Sequence, residues 1–363
     1  MILSRYIILS VIKGFFLIGL ILILLFSLIL LIEELDEVGT GNYSLLIALQ
    51  YVVFHMPQIL LDFASVISLI GAIIALGSMV NHNELVAVTS LGGQPKHIVL
   101  AVISASIVLM IFVLAVSQFV TPYAIQQAKV VRTLALNEQT NLVDSGGYWA
   151  QQNNHFIHVK ETRYGRIPVN VEIFEFNELQ QLKQYLLASE VEIISDDKWL
   201  LKDVRVKKFN ESEFTEQKLD QMEWRSFLDA KQLGIIISEP DALSLTDLDK
   251  YITGLESRGE QAYQYKLLYW QKLMIPVSAM IMILLGLVFV FGSQRVMSAS
   301  KRVILGILAG ISFYIYSQVI AHYGVAQKWQ PTLIAMLPSV TIIMVIVGGF
   351  FVKFKQVVTY QIQ

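Results

Sequence analysis

An ionisable side chain inside a long apolar stretch is expensive and marks the first place to look for chemistry. Asp62 sits about ten residues into one such stretch, with His55 near that stretch's outer end, and Lys13 lies near the start of an earlier one. A carboxylate so placed can line a cavity or take up a proton. A dedicated proton relay, however, wants several carboxylates on several helices. The simpler reading is a helix bent after Pro57 that brings Asp62 to the membrane interface or lets it cap a neighbour, while Lys13 snorkels. Two further concentrations stand out: the run Glu33-Glu34-Leu35-Asp36-Glu37, and Glu84 in the half-apolar stretch Met79 to Lys96 between two long apolar runs.

Much chemistry is missing. There is no G-x-x-x-x-G-K-[ST] loop to cradle nucleotide phosphates, no H-E-x-x-H pair and no G-x-S-x-G elbow, and the six histidines lack zinc-like spacing. With no cysteine, thiolate metal sites, cysteine nucleophiles and disulfides are excluded. The expectation is therefore a chain without catalysis of its own and without a bound cofactor or metal, whose dependence on ATP, if any, comes from another subunit. A formal net charge of −2 with no basic stripe sets nucleic-acid binding aside.

The elements that position these residues are mostly apolar helices. Of 363 residues 55% are hydrophobic and 15% charged, and the mean hydropathy is +0.58, too apolar for a soluble globule of this length. Runs long enough to cross a bilayer occur six times, at roughly 7 to 32, 52 to 80, 98 to 122, 267 to 292, 303 to 323 and 331 to 352, in two groups of three. The first is too long for a signal peptide and no cleavage site follows, so the N-terminus is expected to remain attached. Arg5, Lys96, Arg295, Lys301, Arg302, Lys353 and Lys355 fall on one side if the chain alternates, which predicts cytoplasmic termini. In the fifth run Gly306 and Gly310 supply the small-x-x-x-small spacing that lets two helices approach closely.

Between the third and fourth runs a polar segment, Gln126 to Tyr265, lies on the opposite side. Apolar residues alternate with period two at Phe156 to Val159, at Val169, Val171 and Ile173, at Val191 and Ile193, and at Val204 and Val206, with turn-forming residues between. Such short strands predict an antiparallel sandwich or jelly roll. Ser244 and Asp247 have capping-box spacing, and Leu245, Leu248, Tyr251, Ile252 and Leu255 form one face of a helix behind them. The fold class expected is an α-helical membrane protein with six transmembrane helices, three plus three, and an inserted periplasmic all-β, jelly-roll-like domain. The expected divisions are 1–125 with a cytoplasmic helix at about 80–93, the β-domain at 126–243, a connecting helix at 244–266, and the last three spans at 267–363.

This organisation, together with Asn83 to Gly92, Phe119-Val-Thr-Pro122 followed by Ala128 and Arg132, Gly147-Tyr-Trp-Ala150, Pro240 to Ser244 and Phe289 to Arg295, resembles the LptF/LptG family of permease subunits of the lipopolysaccharide exporter over essentially the whole chain. Gly39 to Tyr43, the stretch at Pro240, and Gly259-Glu-Gln with Trp270 look more like the LptG branch than the LptF branch.

The resemblance implies an ATP-driven transport subunit that extracts lipopolysaccharide from the inner membrane and passes it to a periplasmic bridge. ATP and Mg would be bound by the partner ATPase. The implied partners are an LptF-like permease, two LptB-like ATPase subunits and an LptC-like membrane-anchored protein. The loop after the second span becomes a coupling helix on the ATPase, with Glu84 meeting a basic partner, Leu85, Val88 and Leu91 filling a groove, and Gly92 ending the helix. The first and fifth spans line a lateral gate and cavity, so Phe26, Leu30 and Glu34 on one and Gly306, Gly310, Phe313, Tyr314 and Gln318 on the other are candidate gate contacts.

One departure from the family is plain: enteric-type LptG proteins carry lysines where this chain has Glu33, Glu34, Asp36 and Glu37, which would repel a polyanionic headgroup unless cations bridge them. The reading from another class is a membrane scaffold or sensor with an external lipid-binding β-domain and no stable ATPase partner.

Overall fold

A computed structural model describes residues 2–82, 84, 95–136, 142–152, 154–163, 167–177, 179, 181–195, 198–209, 214–226, 242–257, 261–292 and 299–360. The chain forms α1 (Ile2–Leu35), α2 (Leu45–Asp62), α3 (Ala64–Asn81), α4 (Pro95–Ala115), a π-turn (Val116–Val120) and α5 (Thr121–Leu136). Then follow β1 (Leu142–Gln152), β2 (His155–Arg163), β3 (Ile167–Phe176), β4 (Leu182–Ser195), β5 (Lys198–Phe209) and β6 (Phe214–Arg225). Last come α6 (Leu245–Ser257), α7 (Tyr263–Gly292), α8 (Ala299–Ala326) and α9 (Pro331–Tyr360). Two compact units result, one of residues 1–30, 55–121 and 263–363, the other of residues 31–54 and 122–262.

Seven helices, not six, are long and apolar enough to cross a membrane among the described residues. The run expected as one helix over 52 to 80 is broken in two. Phe63 leaves helical geometry (φ −104°, ψ 7°) directly after Asp62, and α3 starts afresh at Ala64. The backbone turns at a residue whose side chain is as apolar as its neighbours, so hydropathy runs straight through the break. The expected three-plus-three count is therefore not reproduced by the helices. Conversely, the run expected to end near 122 continues to Leu136. Pro122 has no N–H to donate back along the ladder, and the helix absorbs this by a one-residue slip in which the Thr121 amide donates to the Val116 carbonyl.

In the first unit α3 is the packed centre. Of its 18 residues 13 are buried, whereas the outward faces of α1 and α8 remain apolar and exposed. One core joins Ile7, Val11 and Phe15 of α1 to Ile67, Ile70 and Leu76 of α3, Val102 and Leu109 of α4, and Ile283 and Leu287 of α7.

In the second unit the six strands form one antiparallel meander in chain order. The predicted alternation sets its register: Ile157, Ile173, Leu186 and Val206 lie in one cross-strand row and Val159, Val171, Ala188 and Val204 in the next, all buried. The described strands show no Greek-key crossover, so the expected jelly roll is replaced by a meander over these residues. The capping box forms as its spacing requires. The Asp247 amide donates to Ser244 Oγ at 3.2 Å, Ser244 Oγ donates to Asp247 Oδ2 at 2.6 Å, and Leu248, Tyr251, Ile252 and Leu255 are buried behind it.

Candidate functional site

At the end of α3, His82 closes the helix through its amide to the Ser78 carbonyl (3.1 Å), and Glu84 follows one turn after Asn81. Two other helices reach this point. The Tyr6 hydroxyl of α1 donates to Glu84 Oε1 at 3.3 Å, and Arg302 Nη2 of α8 donates to Asn81 Oδ1. Glu84 Oε2 is buried and finds no hydrogen-bond partner among the described residues; the same holds for Nε and Nη1 of Arg302, a residue only 3% exposed. A carboxylate oxygen so placed can accept from a basic or N–H group. Leu85, Val88, Leu91 and Gly92, expected to accompany Glu84, lie outside the described residues.

The expected gate residues are placed unevenly. Phe26 stacks on Phe63 with ring centroids 3.9 Å apart, and Phe63 stacks on Tyr314 at 5.4 Å, so the break residue bridges the first span and α8. Phe313 is buried with Leu69, Ile73, Met282 and Leu285, Leu30 is half-buried, and Gln318 is exposed. Gly306 and Gly310 pack within the chain: a Cβ on Gly306 would meet Ile73 Cδ1 at 2.4 Å, and one on Gly310 would meet Val66 Cγ1 at 3.2 Å. Their spacing thus serves the α3–α8 contact.

Sequence reasoning missed the tightest crossing. A Cβ on Gly14 would lie 2.4 Å from the Gly71 carbonyl oxygen, and one on Gly71 would lie 2.8 Å from Gly14 backbone, so α1 and α3 touch backbone to backbone. Two isolated glycines on separate spans carry no local pattern. Asp62, on the exposed last turn of α2, accepts from Gln58 Nε2 at 2.7 Å, which suits a helix end better than a proton path.

The acidic turn is partly neutralised from within. Glu34, 7% exposed, accepts from the Tyr43 hydroxyl at 2.7 Å and from Arg132 Nε at 3.1 Å, while Arg132 Nη2 reaches Glu37 at 3.4 Å. Arg132 also lies over the Tyr51 ring, 5.8 Å from its centroid. Burial, reinforced by the Glu34 carboxylate, pushes the Tyr43 phenol well above its usual value. Only Glu33 and Asp36 stay exposed and unabsorbed by this clamp, and no three carboxylate or histidine side chains among the described residues converge as a metal site. Two of the four carboxylates of the acidic run thus share one guanidinium.

On the sheet, Glu172 gathers His158 Nδ1 (2.9 Å), Lys160 Nζ (2.9 Å) and the Tyr185 hydroxyl (2.8 Å), beneath Trp149 stacked on His158. These donors outweigh the desolvation of Glu172 and hold its carboxyl below the usual range, and burial pushes Tyr185 up to about 12.

The family model described as "Lipopolysaccharide export system permease LptF/LptG" matches residues 5–353. The lipopolysaccharide export system permease protein LptG of Escherichia coli strain K12 is 28% identical over 326 residues, covering 89% of this chain and 91% of that protein. Its counterpart from Haemophilus influenzae is 28% identical over 345 residues, covering 95% and 96%. The matched range contains the long apolar helices, the inserted sheet and Glu84. The chain therefore belongs to the lipopolysaccharide export system permease LptF/LptG family and is similar to its LptG members.

Proposed function

We propose that this chain is the membrane-embedded half of an ATP-driven transporter that lifts lipopolysaccharide out of the bacterial inner membrane and hands it to a periplasmic bridge. ATP and Mg are bound and used by a partner ATPase present in two copies. A second, LptF-like permease completes the membrane channel, and an LptC-like protein receives the lipid through the β-domain. Both termini lie in the cytoplasm.

The observation that carries this reading beyond family membership is Glu84. Its unpartnered buried oxygen stands at the end of the most buried span, where a basic group of a docking subunit would complete its hydrogen bonding. In this reading Leu85, Val88 and Leu91 would supply the apolar contacts that accompany Glu84 in docking, with Gly92 after them. Along the first span, Gly14 is 12 residues from Phe26, about 18 Å along a helix. The glycine crossing is a backbone contact that cannot slide freely, whereas each aromatic stack above it is worth only about 0.5–1.5 kcal/mol. The chain is thus built to pivot at Gly14·Gly71 and part at Phe26–Phe63–Tyr314, which is what a lateral gate requires. Glu33 and Asp36 face the headgroup region, with the clamped Glu34 and Glu37 behind them.

Co-purification with an LptB-like ATPase tests the proposal. Wild type should form a stable complex with lipid-stimulated ATP hydrolysis, and Glu84→Ala should weaken the complex or uncouple it. A folded chain that binds no such ATPase would remove the transporter reading and favour a scaffold or sensor.

A further inference from the structure

We infer that Tyr6 and Arg302 are positioning residues that tie the two gate helices to the root of the coupling segment, so that one displacement at Asn81–Glu84 moves both. This rests on the transport reading above. The two polar contacts fall one helical turn apart on the same strand of chain, Asn81 held by α8 and Glu84 by α1.

Each gate helix packs along α3 at several points and makes one further polar contact near its own start. α1 packs on it through the backbone contact Gly14·Gly71 and the shared core of Ile7, Val11 and Phe15 and, two turns nearer its start than Gly14, reaches Glu84 just beyond α3 through Tyr6; α8 packs on it through Gly306, Gly310 and Phe313 and, one turn nearer its start than Gly306, reaches Asn81 through Arg302. The apolar contacts set where each helix lies on α3, and the polar contacts join both helices to Asn81 and Glu84, so a shift there is felt by both.

The choice of side chains supports a moving role over simple packing. Arg302 is buried with Nε and Nη1 unpartnered among the described residues, and Glu84 retains an unpartnered Oε2. Buried donors and acceptors without partners cost stability, which a static structural contact would have no reason to bear. Displacement of the segment that bears Glu84, or arrival of a charged group from a docked subunit, gives these atoms the partners they lack. The guanidinium then changes partner without leaving α8, so the pull reaches the helix rather than dissipating in a side chain.

The test is reconstitution of the complete complex with its ATPase and companion chains in proteoliposomes holding lipopolysaccharide, scoring lipid extracted per ATP hydrolysed. Tyr6→Phe should lower that ratio about fivefold and Arg302→Gln about tenfold, the factors set by one hydrogen bond to a carboxylate and by one charged donor, with ATP hydrolysis largely retained. Asn81→Leu should match Arg302→Gln, while Asn81→Asp, which keeps an acceptor for Arg302, should restore the wild-type ratio. Ratios unchanged in Tyr6→Phe and Asn81→Leu would overturn the inference, as would hydrolysis and extraction falling in strict proportion. Should Arg302→Gln fail to assemble, Tyr6→Phe, which removes one hydroxyl from a half-exposed ring, carries the test by itself. A wild-type complex that hydrolyses ATP but extracts no lipid would instead refute the transport reading.

Discussion

Replacing Arg132 by methionine keeps the volume of the stem and removes the charge that holds the acidic turn. Glu34 would be left 7% exposed with the Tyr43 hydroxyl as its remaining donor among the described residues. Removing one partner of a fully buried ion pair costs about 3–5 kcal/mol, whereas an exposed pair is worth about 0–1 kcal/mol. The Arg132 side chain is 33% exposed against 9% for Glu34, which puts this pair between the limits, at about 2 kcal/mol. That cost falls on local opening, because the same turn is held to α5 by the Asn42 amide on the Ala135 carbonyl (2.8 Å) and closed by the Gly39 amide on the Tyr43 carbonyl (3.0 Å). A change of about 2 kcal/mol in opening corresponds to roughly thirtyfold faster amide exchange. Hydrogen exchange on a peptide spanning residues 36–46, in the purified chain in lipid nanodiscs, reads this directly. Tyr43→Phe, losing one hydrogen bond, should accelerate the same peptide about fivefold. Exchange unchanged in Arg132→Met, with the sheet peptides also unchanged, would show that the clamp does not hold the turn.

Gly14→Ala should cost about 1–3 kcal/mol and depress assembly, because its Cβ would meet a backbone oxygen at 2.4 Å; Gly19→Ala, with nothing nearer than 3.6 Å, should be tolerated when thermal unfolding of the two is compared. Phe63→Ala removes both aromatic stacks, so spin labels on the first span and α8 should report a wider, broader distance distribution, and an unaltered one would dismiss the bridge. The lowered Glu172 carboxyl contributes stability that is fully present above its ordinary value of 4.5 and lost as pH falls through its depressed value. Wild type should accordingly lose more β-domain stability than Glu172→Gln on acidification below about pH 4.5, read from tryptophan fluorescence. Tyr185, raised to about 12, stabilises fully below 10 and loses that contribution as pH climbs through about 12, so Tyr185→Phe should flatten the alkaline limb.

Local chemistry was read well where the partners lie close in sequence. Ser244 and Asp247 are three residues apart and form their cap, and the alternation at Ile157, Val159, Val171 and Ile173 specified which face is buried. The stretch around Glu84 announced itself by interrupting two apolar runs, although its role came from resemblance. The clamp could not be read, because Glu34 and Arg132 are 98 residues apart and each has an ordinary surface reading on its own. The four carboxylates of the acidic run therefore looked equivalent, when burial and one distant guanidinium separate Glu34 and Glu37 from Glu33 and Asp36.

By itself the sequence determined that the chain is built of helices long and apolar enough to cross a membrane with a sheet inserted between them in the sequence, because hydropathy over a helix and alternation along a strand are sums over neighbouring residues. Only the tertiary structure decided where the second run breaks, which glycines meet, and which helices hold Asn81 and Glu84. Those are properties of pairs brought together by packing: the Phe63 backbone turn, the Gly14·Gly71 crossing and the bonds from Tyr6 and Arg302 each depend on a partner that no local pattern names.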